Sequence, residues 1–331
     1  MNILKLILNL TVDWEGEDFS GVYDLLEIRK RIGTEIPITH FICPNYLFGK
    51  YAKQAKSIFE KAILPHDEVA LHIHNYRNLI DSAGVAFRDS PDFFSGNSTK
   101  IGKFLNSIFD KHRQGRGVPL SAYSDNEIFQ ILNFSKQSLE TVFTERKIVG
   151  FRAGGWILSD LITKNLEKTG FLWDSSAAPP EVLSQGYSSE NQGNKFDEQD
   201  TENGIWTEMV MRNWGFEQEK ETESYLKNNI ACSYPILKTS QPYKIGNLTE
   251  MPNNGAMSDY ISAKKTWIIL IDNALKSQNA SPFVMNFGFH QEGDAFYKQP
   301  ILELFNYLKK NNLISDGSII FKTVSETMPP A

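Results

Sequence analysis

Ile3-Leu4-Lys5-Leu6-Ile7-Leu8-Asn9-Leu10-Thr11-Val12-Asp13 opens the chain with an apolar run that ends on an acid. The run superficially resembles a signal peptide. Lys5 and Asn9 interrupt it, however, and no small-x-small cleavage site follows. It leads directly into Thr11-Val12-Asp13-Trp14-Glu15. Residues 3–13 therefore read as the first buried strand of an α/β domain, with a pair of acids where the strand gives out. Side chains alternate faces along a strand, so Asp13 and Glu15 share one face.

Working outward, residues 20–33 carry apolar residues at helical spacing, with Ser20 as a cap and Gly33 as a stop. Thr39 to Cys43 forms a short strand ending at Pro44, residues 46–63 form a helix, and Glu68-Val69-Ala70-Leu71-His72-Ile73-His74 forms the next strand. This β-α-β-α-β opening is the signature of a parallel sheet or barrel. Residues 80–124, rich in Ser, Asp, Gly and Phe, break the alternation and read as an excursion from the core. Residues 125–145 form an amphipathic helix capped by Ser124 or Asp125. Val149 to Arg152 is a strand, 159–169 a helix with Ser159 as cap and Gly170 as stop, and Phe171 to Asp174 a strand. Residues 183–204 are polar and read as a surface loop. Trp206 to Trp214 and Leu248 to Met251 are later strands. Helix 260–277, strand Pro282 to Phe289, helix 298–311 and strand Phe321 to Val324 close the pattern. The absence of a repeat or a clean linker favours one domain over residues 1–331, with insertions near 80–124 and 181–205.

The 331 residues are 41% hydrophobic and 22% charged, enough for a sizeable core. With 34 basic and 40 acidic residues the net charge is −6, and there is no long basic run. Nucleic acid and anionic membranes are therefore poor partners. No apolar stretch approaches the length of a membrane span. Cys43 and Cys232 cannot build a disulfide framework and read as buried thiols of a reducing compartment. A cytoplasmic protein is expected.

Chemistry gathers at the strand ends. In parallel α/β sheets ligands bind at the C-terminal ends of the strands. Asp13 and Glu15 end the first strand; one carboxylate can bind a metal while the other acts as a base, although acids also commonly end strands as solvated loop residues. His72 and His74, two residues apart, face one way and can present two imidazoles to a single ion, or form a structural pair. Together they suit Zn²⁺ or a neighbouring divalent ion. Arg152 in Gly150-Phe151-Arg152-Ala153-Gly154-Gly155-Trp156 can reach a buried carboxylate. Asp174 follows in Gly170-Phe171-Leu172-Trp173-Asp174-Ser175-Ser176, and His290 closes an apolar strand in Asn286-Phe287-Gly288-Phe289-His290-Gln291-Glu292, where it can donate a proton.

An acid pair, His-x-His, Phe-Arg-Ala-Gly, Gly-Phe-x-x-Asp-Ser-Ser and a late strand-end His, in this order, resemble the polysaccharide deacetylase family (carbohydrate esterase family 4). The resemblance implies a distorted (β/α) barrel of about seven parallel strands. It implies Asp13 as catalytic base, Glu15, His72 and His74 as metal ligands, Arg152 orienting Asp13, Asp174 tuning His290, and His290 as general acid. Three departures stand out. Trp14 takes the position directly after the base, where the family's metal-binding acid usually stands. The two ligands of the second motif are usually about four apart, which would place the second at Tyr76. Ala153-Gly154 replaces the usual Pro-Tyr, whose backbone N–H helps bind the oxyanion.

The implied activity is metal-dependent removal of an N-acetyl group from a carbohydrate. Trp156, Trp173 and Trp214 are available as sugar platforms or as packing. Two other readings stay open: hydrolysis of a non-peptide C–N bond on a small non-sugar substrate, and a non-catalytic carbohydrate-binding relative.

Overall fold

The leading strand, β1 (Leu6–Trp14), is buried along its whole length. Its two faces differ. Leu6, Leu8, Leu10, Val12 and Trp14 join the main hydrophobic core, whereas Asn9, Thr11 and Asp13 alternate with them and carry polar groups to the other face. The second face is the interior of a curled sheet, and it is there that the site forms.

The structure, a computed structural model, describes residues 5–89, 115–178, 240–258, 263–277, 281–293 and 295–329. In chain order these form β1, α1 (Val22–Ile32), β2 (Ile38–Ile42), α2 (Ala52–Ala62), β3 (Glu68–Ile73), α3 (Arg77–Ser82), α4 (Asp125–Val142), β4 (Gly150–Ala153) and α5 (Asp160–Lys168). They continue with β5 (Trp173–Asp174), β6 (Tyr243–Ile245), β7 (Leu248–Glu250), β8 (Ala256–Met257), α6 (Ala263–Lys276), β9 (Phe283–His290), α7 (Ala295–Lys310) and β10 (Ile319–Phe321).

The strands make one sheet in the order β6-β7-β5-β4-β3-β2-β1-β9-β8, with β10 added beside β1. Every pairing is parallel except the β6–β7 hairpin. The sheet curls into a distorted (β/α) half-barrel, as the sequence predicts. Residues 251–255 lead from β7 to β8, at the other end of the strand order, and are held on both sides: Asn253 N–H donates to Ala177 O (2.8 Å) after β5, and Gly255 N–H to Asn286 O (2.7 Å) on β9. Two short strands, β6 and β8, escape the sequence reading because two or three residues hold no periodicity to detect. The strand expected over Trp206 to Trp214 and the loop over 183–204 lie outside the described residues.

Local signals explain most helix ends. Ser124 and Glu127 form a reciprocal capping box on α4. Ser159 Oγ accepts the N–H of Ile162 to cap α5, and Gly170 follows that helix at φ 78°. Two expectations need correction. Ser20 does not cap α1, which starts after Gly21 without a side-chain bond. The helix expected over 46–63 is broken: Pro44, with its fixed φ, opens a 3-10 turn to Leu47, and α2 starts only at Ala52.

A buried ionic knot ties α1, β2 and the start of β3 together. The carboxylate of Asp67, just before β3, accepts from Ile38 N–H (2.9 Å), Leu64 N–H (2.7 Å) and Arg29 of α1, and meets His40 of β2 at 3.4 Å. Burial works against the charge on Asp67, but His40 and Arg29 outweigh it and hold the carboxyl well below its usual range. Asp67→Ala strands the buried guanidinium of Arg29. It is expected to cost about 3–5 kcal/mol, read as a fall in the denaturant midpoint; a loss below about 1 kcal/mol would mean that the knot contributes no more than a surface pair.

Candidate active site

β1, β3, β4 and β9 all end at the same rim, and each delivers one part of the constellation. β1 supplies Asp13 and, one residue past its end, Glu15. β3 supplies His72 and, just past its end, His74. β4 supplies Arg152, and β9 supplies His290, which lies in register with Asp13. Asp13, Glu15, His72, His74 and Arg152 are buried.

Glu15 is the hub. Its Oε2 lies 2.7 Å from His74 Nε2, and its Oε1 lies 3.5 Å from His72 Nε2 and 3.2 Å from His290 Nε2. Glu15, His72 and His74 each place a ligand atom within 4.8 Å of the others, and Asp13, Glu15 and His290 make a second such group. Burial opposes the charge on Glu15, but the charge of His74 and the close approach of His290, His72 and His74 hold the carboxyl well below its usual range.

The far side of each ring sets its tautomer. His72 Nδ1 lies 3.0 Å from Arg152 O, and His74 Nδ1 2.7 Å from Arg116 O. A carbonyl only accepts, so both Nδ1 atoms carry hydrogen, and Nε2 is the ring atom that each histidine turns toward Glu15. Metal-binding histidines usually donate their other ring N–H to a carbonyl or carboxylate in this way, which fixes the ring's orientation. His72 Nε2 is buried without a hydrogen-bond partner. An orphaned imidazole nitrogen beside a carboxylate, with a second imidazole across it, fits a divalent cation. Two nitrogens and carboxylate oxygen suit Zn²⁺ or a similar ion.

Beside this cluster, Arg152 Nη1 donates to Asp13 Oδ1 at 2.6 Å and lies 3.3 Å from Thr11 Oγ1. Its Nε and Nη2 are held by Ser175 O (3.1 Å) and Ser175 Oγ (3.0 Å), and its guanidinium lies 3.8 Å over the Phe41 ring. Asp13 Oδ2 is buried and accepts no hydrogen bond. Asp13 is thus a carboxylate anchored by one oxygen with the other available.

Asp174 takes a different place from the one expected. Its oxygens accept the Ser176 hydroxyl (2.7 Å) and the Ser176 N–H (3.1 Å), and it pairs in register with Glu250. The ring of His290 instead meets Glu15. Strand order explains the difference: β5 is flanked by β4 and β7, whereas His290 ends β9 beside β1. Trp173 is also no platform. It is fully buried, packs edge-on against Phe41 at 5.7 Å and donates to Ser325 Oγ at 2.8 Å. Trp156 follows β4 at the rim with φ 56°, and Trp214 lies outside the described residues.

The departures in the histidine motif have a local explanation. Tyr76 is buried and lies against the His74 ring, with centroids 6.1 Å apart. A Cβ on Gly154 would stand 2.8 Å from His74 Nδ1 and Cε1 and 2.4 Å from Ile73 O. His74 occupies the space that a side chain after Ala153 would need.

Several neighbours carry no sequence signal. Arg116 returns from the segment read as an excursion to bridge Glu15 (3.3 Å) and Glu17 (2.5 Å). Glu292 accepts the Glu15 N–H at 3.2 Å and the Tyr46 hydroxyl. Burial, and then the charge of Glu15, push the Glu292 carboxyl well above its usual range. Cys43 also lies here, but burial pushes its thiol up to about 12. A thiol so protonated is a poor ligand and nucleophile. In a Cys232→Ser background, Cys43 is expected to resist thiol-modifying reagents at pH 7 and to react fully on unfolding; rapid labelling of the folded protein would contradict its burial.

The curled, mostly parallel sheet has a polysaccharide deacetylase-like (β/α) barrel fold. A protein from Mycobacterium smegmatis assigned as a polysaccharide deacetylase is similar to it at TM-score 0.51 and 12% identity, over 98% of this chain and 88% of that one, and shares its fold. A 4-alpha-glucanotransferase from Thermococcus litoralis is similar at TM-score 0.48 and 10% identity, over 98% of this chain and 40% of that one. A polysaccharide deacetylase assigned to O-antigen biosynthesis in Bordetella bronchiseptica is similar at TM-score 0.33 and 11% identity, over 86% of this chain and 71% of that one. No family model and no curated protein matches the sequence. Among the described residues no helix is long and apolar enough to cross a membrane.

Proposed function

We propose that the protein is a metal-dependent hydrolase that removes an N-acetyl group from a carbohydrate. The observation that carries this reading is the pairing of two centres at one rim. The Nε2 atoms of His72 and His74 face Glu15, and Asp13, anchored by Arg152, stands beside them. Glu15, His72 and His74 would hold the divalent ion, with Zn²⁺ the best match to these donors. Such an ion supplies Lewis acidity toward an amide carbonyl and toward water.

The residues of the chain do the rest. Arg152 fixes Oδ1, so that Oδ2 can take the proton of an attacking water. His290 protonates the departing amine. It is the most open of the three imidazoles, with 12% of its side chain exposed against 1% and 2% for His72 and His74, so it can meet a leaving group and renew its proton. The fold likeness together with this site supports the substrate class: a sugar bearing an acetamido group, free or in a glycan intermediate.

The test is acetate release from N-acetylglucosamine presented free, nucleotide-linked and as an oligosaccharide, using protein stripped of metal and then reloaded with Zn²⁺. Metal-dependent release from at least one form is expected. No release from any form by metal-loaded protein would overturn the reading.

A further inference from the structure

Asp174 and Glu250 are register partners on the adjacent parallel strands β5 and β7, and both are buried. Residues in register on such neighbours project to the same face, one strand spacing apart. Asp174 uses its oxygens on the Ser176 hydroxyl and N–H. Glu250 Oε1 accepts the Ala177 N–H at 3.0 Å, while Oε2 is buried with no donor from any neighbour. The two carboxyl groups therefore stand side by side, away from solvent. Ionised carboxylates only accept, so two of them side by side in the interior, one with an oxygen that no donor reaches, call for a proton between them. Two buried anions would also need more positive charge than is at hand, because the nearby Arg152 is committed to Asp13.

The chain of contacts shows what the proton does. Asp174 holds Ser176, whose hydroxyl also accepts the Ala153 N–H at 2.9 Å. The adjacent Ser175 holds Nε and Nη2 of Arg152, leaving Nη1 for Asp13. We propose that Glu250 is a positioning residue: it bears a proton shared with Asp174, and so keeps the Ser175–Ser176 turn and Arg152 directed at Asp13. Were Glu250 ionised, two anions would draw the Arg152 guanidinium away from Asp13. Burial, and then the charge of Asp174, push Glu250 well above its usual range, in line with this assignment.

The catalytic consequence rests on the proposed role of Asp13; the proton does not. Two measurements therefore need no substrate. The infrared difference between wild type and Glu250→Gln at neutral pH should show the carbonyl band of a protonated carboxylic acid, lost in the variant and shifted in D2O. The second is stability against pH. Between the ordinary carboxylate range and the raised value of Glu250, the folded protein holds a proton that the unfolded chain has released. Wild-type stability should therefore fall as pH rises through that window, and Glu250→Gln should lack that slope.

Activity supplies the third arm. Glu250→Gln can still donate to Asp174 and should keep kcat near wild type. Glu250→Ala should lower kcat by about 10- to 100-fold, with KM and bound metal unchanged. An absent acid band, an unchanged pH slope in Glu250→Gln, or a Glu250→Gln enzyme as impaired as Glu250→Ala would overturn the proposal. If wild type has no deacetylase activity but the band and slope are present, the assignment of function fails and the shared proton stands.

Discussion

Asp13→Asn is expected to lower kcat by about a thousandfold while the protein keeps its divalent ion. The amide can still present an oxygen to Arg152 Nη1, now 2.6 Å from Asp13 Oδ1, so the guanidinium retains a partner. What changes is the second position. Oδ2, buried and without a donor, becomes an N–H group that cannot accept a proton from water. The ion should stay because Glu15, His72 and His74 form a complete group without Asp13. Metal content by elemental analysis, set beside kcat, checks both halves. A variant that loses its metal would show that Asp13 is a ligand, and the division of roles between Asp13 and Glu15 would have to be reversed.

Glu15→Ala and His72→Ala should fail in the opposite way. Each removes one ligand from a three-residue set, and each is expected to weaken metal binding on the order of a hundredfold, with turnover lost in parallel. Calorimetric titration of the stripped protein with Zn²⁺ measures this directly. Glu15 is the more telling position. Three imidazole nitrogens converge on its two oxygens, so its removal takes away a ligand and the one anion that they share. Unchanged affinity in both variants would show that the cluster is not a metal site.

Much of this site can be read in the sequence because its main parts end strands. The alternation of β1 separates Asp13 from the core residues Val12 and Trp14, and His-x-His after an apolar run puts two rings on one side. The Arg152–Asp13 ion pair matches what the family resemblance implies. Local rules fail where the partner is chosen by the barrel. Asp174 finds Glu250 across 76 positions (250 − 174) because β7 is its strand neighbour, and no spacing within either segment signals that. Arg116 reaches Glu15 from 101 residues away, out of a stretch whose composition suggested a bystander. Glu292 sits in a quoted motif, but its contact with the Glu15 backbone depends on β9 lying beside β1.

Gly154 and His74 bear on how such a chain arises. A second imidazole two residues after the first, and a side chain at the position after Ala153, compete for one volume. The Ile73 carbonyl, 2.4 Å from where that Cβ would stand, closes the same space from the backbone, so a side chain at 154 would displace the strand end as well as the ring. Chains of this fold that carry His-x-His should be expected to carry a glycine there as well. A search that scores the two positions together will separate them from barrels that space their ligands four apart and keep a bulky residue at that turn.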